Sequence, residues 1–442
     1  MLSGPILPTL LRLALPNVLA LAAATLTGIA ETSYIGILGT APLAAMALVF
    51  PFIMLTQMFS SGAMGGGVSS AIARALGGGS VERAEALAWH ALAIGIGAGI
   101  VNSVVFVVFG PPIYAFLGGK DEVLAQAVGY SNVLFCGAVM VWLSNSLISV
   151  LRGTGNMKVP SGTLLGVAAL QVVLGGSLGL GLGPVPRLGM PGVALGYIGA
   201  YSAGVAFLAW YLLSGRSRVK LVWRGFAFNK EMFVDILKVG AVACLSPIQS
   251  IATILVITAL VARFGTQVLA GYGIGVRLEF LLIPIAFGVG VASVPMVGMA
   301  MGAGDIDRAR RVAWTAGVVS GIGVGVLGLV VAVFPDLWAR LFSSDPAVLD
   351  AARQYLRMVG PVFGFFGVGL SLYFASQGSG KVLGPVLGTT LRLVVVAVVG
   401  YWLVEISAPV EWVFGLIACA MALYGFAVAG AIYLTPWEKP RN

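Results

Sequence analysis

Two acidic residues lie deep inside apolar stretches of a chain that otherwise keeps charge out of such stretches. Glu31 belongs to GIAETSYIGILG (28–39) and Glu279 belongs to GVRLEFLLIP (275–284). An ionised carboxylate at membrane depth costs about 2.5 kcal/mol or more, so acids in such positions commonly mark ion or substrate pathways. The chemistry available to such a group is the uptake and release of a proton or a metal cation.

The helix face that carries Glu31 is small and polar. Glu31 precedes the outer end of its apolar stretch by seven residues, which places it about 10 Å inside that end at the helical rise. Steps of three and four residues along the helix give Tyr34, Thr27, Ala24, Ala20 and Asn17. This face suits a cavity lining, where Glu31 carries the coupling ion with Tyr34 and Thr27 beside it. The alternative is a structural acid satisfied by Tyr34, Thr27 or a neighbouring helix.

The elements that must position these acids are membrane helices. Hydrophobic residues make up 59% of the 442 positions and charged residues only 9%, whereas a soluble domain carries about 25% charged residues. Helices satisfy every backbone amide within their own segment, as lipid requires. We therefore predict an all-α integral membrane protein with twelve spans at about 9–38, 42–76, 83–110, 122–150, 158–183, 191–214, 232–263, 267–302, 308–334, 346–377, 382–404 and 410–434.

The net charge of +9 comes from basic residues on short loops. Most of the Lys and Arg residues follow even-numbered spans, so the positive-inside rule predicts a multi-pass protein of the inner membrane with both termini cytoplasmic. The dense run GRSRVKLVWRGFAFNK (215–230) is predicted to be a cytoplasmic linker that touches anionic lipid. Nucleic-acid binding is disfavoured, because the bases are dispersed and have no aromatic platform beside them.

An internal repeat divides the chain into halves. RALGGGSVERAEALAW (74–89) matches MAMGAGDIDRARRVAW (299–314), and RGTGNMKVP (152–160) matches SQGSGKVLGP (376–385), both at a spacing of 225 residues. Six spans in each half give the halves the same orientation in the membrane, with the substrate site expected at their interface. The predicted domains are an N-terminal six-helix bundle at 1–214, the linker at 215–230 and a C-terminal six-helix bundle at 231–442.

The ordered motifs resemble the multidrug and toxic compound extrusion (MATE) transporters over essentially the full length. The resemblance is carried by AETSYIGILG, by LAAMALVFPF leading to SSAIARALGGG, by LRGTGNMKVP and by GVRLEFLLIPIAFGVGVASVPMVGMAMGAGD. It implies a V-shaped pair of pseudo-symmetric six-helix bundles that alternate between outward-open and inward-open states. It also implies export of cationic or amphipathic small molecules in exchange for sodium ions or protons.

Two departures from that resemblance favour protons over sodium. An aspartate usually occupies the position of Glu31, and its carriage of the coupling ion transfers to Glu31. Many members also supply an Asn and an Asp four residues later on the fifth span, where this chain has Gln171 and Gly175. Since the second carboxylate is missing, a cage for an alkali cation is poorly provided, and Gln171 is predicted to be a polar partner near Glu31.

Substrate contacts are predicted at Glu279, Arg277 and Asn145. Glu279 resembles the acid that many members carry in the RLE stretch, and the resemblance implies one of two roles, contact with cationic substrate or support of the second bundle. Arg277 or Arg392 could instead pair with Glu279, although Arg277 is two positions away and points to another helix face. Asn145 could instead make an interhelical hydrogen bond. Gln249 stands where other members carry a coupling acid on the seventh span.

Two rivals to drug export remain. A lipid-precursor flippase of the same superfamily would need a strongly cationic cavity, for which Arg277 and Arg392 are the candidates. A membrane enzyme is disfavoured, because the sequence offers neither a metal-ligand cluster nor a nucleophile–base pair. We expect a monomeric antiporter without cofactor or metal, whose partners are small amphipathic cations and membrane lipids and whose coupling ion is H+ or Na+. His90 is predicted to be a satisfied residue at a helix end.

Overall fold

The part of the chain that the structure describes folds into long apolar helices, with one bent helix pair among them. The computed structural model describes residues 2–222 and 227–437. In that part of the chain, eleven continuous segments and one bent pair are long and apolar enough to cross a membrane, which confirms the predicted twelve spans. We label them α1 (Ile6–Leu38), α2 (Thr40–Gly77), α3 (Val81–Phe116), α4 (Asp121–Gly153), α5 (Lys158–Leu180), α6 (Met190–Leu213), α7 (Lys230–Ala262), α8 (Thr266–Gly302), α9 (Ile306–Val333), α10 (Pro346–Ser379), α11 (Leu383–Glu405) and α12 (Val410–Leu434).

Several spans contain local irregularities that the apolar pattern does not encode. A π-helical segment, Met58–Met64, interrupts α2, and α4 bends by 45° at Gly137. The α7 helix breaks at Cys244 because Pro247 has no N–H to donate to the carbonyl of Ala243. The hydroxyl of Tyr373 donates to that carbonyl at 2.9 Å, so the acceptor left by the proline is satisfied.

The helices pack into two units that do not follow the predicted domain boundaries. The first, which we call the N-unit, comprises residues 19–240. The second, the C-unit, comprises residues 2–18 and 241–437 of the described chain. The predicted six-helix bundles are 1–214 and 231–442. In the structure, the start of α1 belongs to the C-unit and the start of α7 belongs to the N-unit, so these two helix starts are exchanged between the halves. Residues 223–226 of the predicted linker, residue 1 and residues 438–442 lie outside the described residues.

In the N-unit, Val222 and Asn229 of the predicted linker contact α3. The indole of Trp89 donates to the carbonyl of Val222 at 2.9 Å, and the ring Nε2 of His90 accepts from the backbone N–H of Asn229 at 2.8 Å. The start of α7 is held by an ion pair of 2.6 Å between Arg74 and Asp235. These contacts explain why residues up to 240 pack with the N-unit.

In the C-unit, the start of α1 is held in the corresponding way. The guanidinium of Arg308 donates to the carbonyl of Gly4 at 2.6 Å. Leu10 and Ala14 are buried in an apolar cluster with residues of α8, α9, α10 and α12, such as Met296 and Val312. The start of α1 is therefore held in the C-unit by both polar contacts and apolar burial.

The sequence repeat has a counterpart in local structure. Ser80 caps α3 by accepting from the N–H of Arg83, and Asp305, 225 residues later, caps α9 by accepting from the N–H of Arg308. Gly155 and Gly380, also 225 residues apart, have φ of 84° and 77°, a conformation that favours glycine. The sequence repeat is thus matched in local structure at one helix cap and one turn of each half.

Candidate functional site

The face of α1 that was predicted to line a cavity is buried in the structure. Ala20, Thr27 and Glu31 are 1%, 5% and 7% exposed, whereas Leu19, Leu26 and Ile29 on the other faces are more than half exposed. An apolar, exposed face on a membrane helix is the face suited to lipid. Glu31 therefore points toward protein and away from the lipid-facing side of its helix.

Glu31 meets the residue that was predicted as its polar partner. The side-chain amide of Gln171 on α5 donates a hydrogen bond of 2.7 Å to Oε1 of Glu31. Within residues 2–222 and 227–437, none of the ion pairs within 4.0 Å involves Glu31. The carboxyl is thus buried against a neutral donor, so any charge it carries is not neutralised by a basic side chain in contact.

Tyr34 and Thr27 lie beside Glu31 but hydrogen-bond elsewhere. The hydroxyl of Tyr34 donates to the carbonyl of Val172 at 3.2 Å, and the Tyr34 ring lies 3.4 Å from the point where a Cβ on Gly176 would stand. The hydroxyl of Thr27 donates to the carbonyl of Ala23 at 3.0 Å. Tyr34 therefore connects α1 to α5 next to the Glu31–Gln171 pair. The hydroxyl of Thr27 is satisfied by a carbonyl of its own helix. Their participation in ion coupling stays a prediction.

Asn145 belongs to a buried polar network of the N-unit. Its amide donates to Gln57 at 3.1 Å and to Ser60 at 2.8 Å, and the amide of Gln57 donates to the hydroxyls of Tyr197 at 2.8 Å and Tyr201 at 2.6 Å. Interhelical hydrogen bonding, the alternative stated for Asn145, thus occurs here. The two tyrosines were not singled out from the sequence, although their i, i+4 spacing on a glycine-rich helix was a usable signal.

Glu279 is paired with a tyrosine that the sequence did not indicate. The hydroxyl of Tyr355 on α10 donates to Oε1 of Glu279 on α8. Arg277 is exposed, and its guanidinium lies 5.1 Å from the centre of the Phe342 ring. The structure therefore separates the two predicted substrate contacts onto different faces of α8, as their spacing required. Tyr355 could have been found only from its tertiary position.

Two more polar residues of the C-unit are Gln249, which contacts α11, and Arg392, which lies on α11. The amide of Gln249 on α7 donates to the hydroxyl of Thr390 at 2.7 Å. Arg392 is 7% exposed, and its guanidinium carbon lies 5.8 Å from the centre of the Tyr424 ring. Arg392 is thus a buried cation within the interior of the C-unit.

The described residues hold no cluster of three or more His, Cys, Asp or Glu side chains arranged to bind a metal ion. His90, which the sequence left as a satisfied helix-end residue, is fully buried, with Nδ1 2.7 Å from the carbonyl of Ala86 and Nε2 accepting from Asn229. This pairing fixes the neutral tautomer that carries its proton on Nδ1.

Comparison with known proteins connects this arrangement to a family of transporters. The sequence profile of the MatE family matches residues 16–175 and 244–402, one match in each half of the repeat. The "Probable multidrug resistance protein YoeA" of Bacillus subtilis (strain 168) is 26% identical over 379 residues, covering 85% of this chain and 80% of that protein. The "FAD transporter" of Shewanella oneidensis is 26% identical over 371 residues, covering 83% of this chain and 81% of that protein.

Solved structures share the fold at low sequence identity. A MOP superfamily transporter from Pyrococcus furiosus superposes with a TM-score of 0.89 at 22% identity, covering 97% of this chain and 96% of that one. A multidrug resistance MATE family transporter in an outward-facing conformation gives a TM-score of 0.84 at 22% identity, covering 98% of both chains. This likeness shows that the chain has the fold of these transporters.

Proposed function

The chain belongs to the MatE family of membrane transporters, and on that premise we propose that it exports amphipathic, cationic small molecules across the inner membrane in exchange for protons. The relatives named for multidrug resistance and multidrug export support the export of drug-like small molecules. The exchange is a secondary antiport by alternating access, with Glu31 as the proton carrier.

The observation that carries the proposal is the buried pair of Glu31 and a neutral amide. A carboxyl held by a basic residue would stay ionised and could not cycle. Glu31 instead accepts a hydrogen bond of 2.7 Å from Gln171, which stabilises its anion without fixing it. Protonation removes the charge and turns the carboxyl into a donor that the amide oxygen of Gln171 can accept. The pair is therefore compatible with both protonation states.

The donor set around Glu31 supports protons over sodium. An alkali cation needs several oxygen ligands in place of its water, by analogy with other hard cations. Here the nitrogen of the Gln171 amide faces the carboxylate, and the carbonyl of Val172 already accepts from Tyr34. The family's second carboxylate is replaced by Gly175. One carboxyl and one amide are sufficient for a proton but provide little for a sodium cage.

The proposed cycle couples proton and substrate through opposite preferences for two states. Glu31 protonates when it is wetted from outside, and its neutral form favours substrate release and closure toward the outside. When the site faces the cytoplasm, Glu31 loses the proton and the cavity accepts a new substrate. A ligand shifts such an equilibrium only by its differential affinity for the two states. One charge crossing a potential of about 100 mV supplies about 2.3 kcal/mol, which is enough for tens-fold accumulation.

Export of drugs is placed ahead of lipid-precursor flipping for a structural reason. A pyrophosphate carrier needs several buried cations facing its cavity. Of the two candidates from the sequence, Arg277 is exposed and stacks on Phe342, whereas Arg392 is buried. A single buried guanidinium is a poor match for pyrophosphate.

The proposal is tested with purified protein in liposomes loaded with a panel of fluorescent dyes and antibiotics. An imposed pH gradient at fixed Na+ and a Na+ gradient at fixed pH are applied separately, with K+ replacing Na+ as the control. We expect export of cationic amphiphiles under the pH gradient and no stimulation by Na+ over K+. Export that follows the Na+ gradient alone would contradict proton coupling, and absence of transport for the whole panel would contradict the export function.

A further inference from the structure

Arg392 lies on the buried side of a membrane helix at mid-depth. It follows the start of α11 at Leu383 by nine residues, about 14 Å along the helix axis, in a hydrocarbon layer about 30 Å thick. Thr389, Arg392 and Val396 form the buried stripe of α11. The exposed stripe is formed by Leu387, Leu391, Val394 and Val398. Arg392 therefore points into the C-unit, and its side chain is too far from either helix end to reach the interface by snorkelling.

The guanidinium of Arg392 has no hydrogen-bond partner in the described structure. An arginine side chain carries five N–H donors in a planar fork. The Nε of Arg392 is shielded from solvent and unpaired. The contact that the structure provides is the face of the Tyr424 ring, 5.8 Å from the guanidinium carbon. A ring face attracts a cation but cannot replace the hydrogen bonds that water gave to this group.

Glu279 and Arg392 do not form a direct ion pair within the described residues. The carboxylate of Glu279 accepts from Tyr355, and in the described chain Arg392 takes part in no ion pair within 4.0 Å. The two groups interact electrostatically over a longer distance. An unpaired buried cation and a separate carboxyl thus share the interior of one unit, with the Tyr424 ring beside the cation.

We propose that Arg392 is an anion-binding residue that receives an acidic group of the transported substrate and thereby determines which substrates this chain prefers. The planar fork of arginine fits a carboxylate through two parallel hydrogen bonds. Tyr424 supplies an aromatic ring beside that fork. This inference rests on the proposed export function and adds to it the residue that recognises an acidic group.

The test compares two dyes that differ only in one acidic group. Rhodamine 6G is a cationic ethyl ester, and rhodamine 19 is its free carboxylic acid, a zwitterion at neutral pH. Binding of each dye to the purified full-length protein is measured by fluorescence anisotropy. Because a hydrogen bond to a charged group discriminates by about tenfold or more, we expect the wild type to bind rhodamine 19 at least about tenfold more tightly than rhodamine 6G.

The variants identify the residue responsible for this preference. Arg392→Gln is expected to remove the preference for the acid while rhodamine 6G binds as well as before or better, and Arg392→Lys is expected to retain part of it. The matched control is Arg311→Gln, an exposed arginine on α9 of the same unit, which should preserve the wild-type ratio. If Arg392 only supports packing, its variants lose both dyes in equal measure.

Three results would overturn the inference: equal wild-type affinities for the two dyes, no wild-type binding of rhodamine 19, or an unchanged ratio in Arg392→Gln. Should Arg392→Gln fail to fold, the wild-type ratio and Arg392→Lys decide the question. Export of rhodamine 6G under a pH gradient is measured alongside. If that export persists while the ratio is one, the inference fails and the proposed function stands; the proposed function fails as well only if no compound of the panel is exported.

Discussion

Glu31 and Gln171, which are 140 residues apart in the sequence, meet through a hydrogen bond of 2.7 Å between α1 and α5. The donor is a neutral amide, so it stabilises the carboxylate without a compensating charge. In the resemblance to MATE transporters, an Asn usually precedes an Asp on this helix. The amide is retained here as Gln171, and the acid is replaced by Gly175. The proposed proton carrier therefore depends on one carboxyl and one amide.

Removing the amide should move the pH dependence of export. In Gln171→Leu, ionised Glu31 loses its hydrogen-bond donor, so the proton is released only at higher pH. A hydrogen bond to a charged group contributes about 1.5 to 3 kcal/mol, which corresponds to an alkaline displacement of the export profile by about one to two pH units. Gln267→Leu, an exposed glutamine at the start of α8, is the control. A profile that stays in place would show that Gln171 does not act on Glu31.

Restoring the family's missing acid should create a response to sodium. At Gly175 an added Cβ would meet Val193 at 3.8 Å, which is ordinary van der Waals contact, so Gly175→Asp has room to begin its side chain. Residues 171 and 175 share a helix face, which adds carboxylate oxygens near Glu31. We expect NaCl to raise the thermal unfolding midpoint of the variant by a few degrees relative to KCl, because a ligand that binds the folded state stabilises it.

The wild type, measured in the same two salts, is the control for Gly175→Asp and should show no difference between them. Sodium stabilisation of the wild type by the same amount would contradict the proposed preference for protons.

The two repeat-related arginines that hold the exchanged first-helix segments should differ in their contribution to stability. Arg308 is 8% exposed and donates to the backbone of Gly4, so Arg308→Ala should cost about 1 to 3 kcal/mol. Arg83 pairs with Glu231 at 3.3 Å and Asp235 at 3.5 Å, but its side chain is 41% exposed, so Arg83→Ala should cost about 1 kcal/mol or less. Thermal unfolding in detergent measures both variants, and the reverse order would refute this assignment.

An ion pair between Asp336, on the short helix Asp336–Ala339 that follows α9, and Arg353 of α10 gives a pH-dependent contribution to stability. Arg353 donates to both oxygens of Asp336, at 2.6 Å and 3.1 Å, and this holds the pKa of Asp336 below its usual value of 3.8. A carboxyl with a lowered pKa stabilises the folded state above the unfolded pKa and loses that effect as the pH falls through the folded pKa. Asp336→Asn should therefore lower the unfolding midpoint slightly at pH 7.

The difference between Asp336→Asn and the wild type should shrink when the pH falls below about 4, because the wild-type carboxyl is then protonated as well. Unfolding midpoints measured at intervals between pH 7 and pH 3 follow this change. A difference that is the same at both ends of the range would assign the effect to packing rather than to charge.

The sequence was sufficient for the spans, the repeat and the Glu31–Gln171 pair. Apolar runs and loop charges define membrane helices directly, and the family pattern on the fifth span identified Gln171. The pairing of Glu279 with Tyr355 was missed, because residues on α8 and α10 meet only through tertiary packing. The hydroxyl of Thr27 was expected near the carboxyl of Glu31 but donates to Ala23, since a helix offers it a carbonyl four residues earlier.

The sequence also did not predict that the starts of α1 and α7 belong to the units opposite to their sequence halves. The predicted boundary at 214 lies next to the end of α6 at Leu213, where the loop to α7 begins. Contacts then assign the start of α7 to the N-unit through Arg74 and Asp235, and the start of α1 to the C-unit through Arg308 and Gly4. Such assignments depend on which helix ends meet in space, and a single sequence does not contain that information.

The most direct test of the account is transport by Glu31→Gln in liposomes under an imposed pH gradient. The glutamine keeps the size of the side chain and its hydrogen bonding to Gln171 but cannot carry a proton, so substrate binding should persist while gradient-driven export falls at least about tenfold. Glu405→Gln, an exposed acid at the end of α11, is the matched control and should export like the wild type. Export by Glu31→Gln at the wild-type rate would contradict the assignment of proton coupling to Glu31.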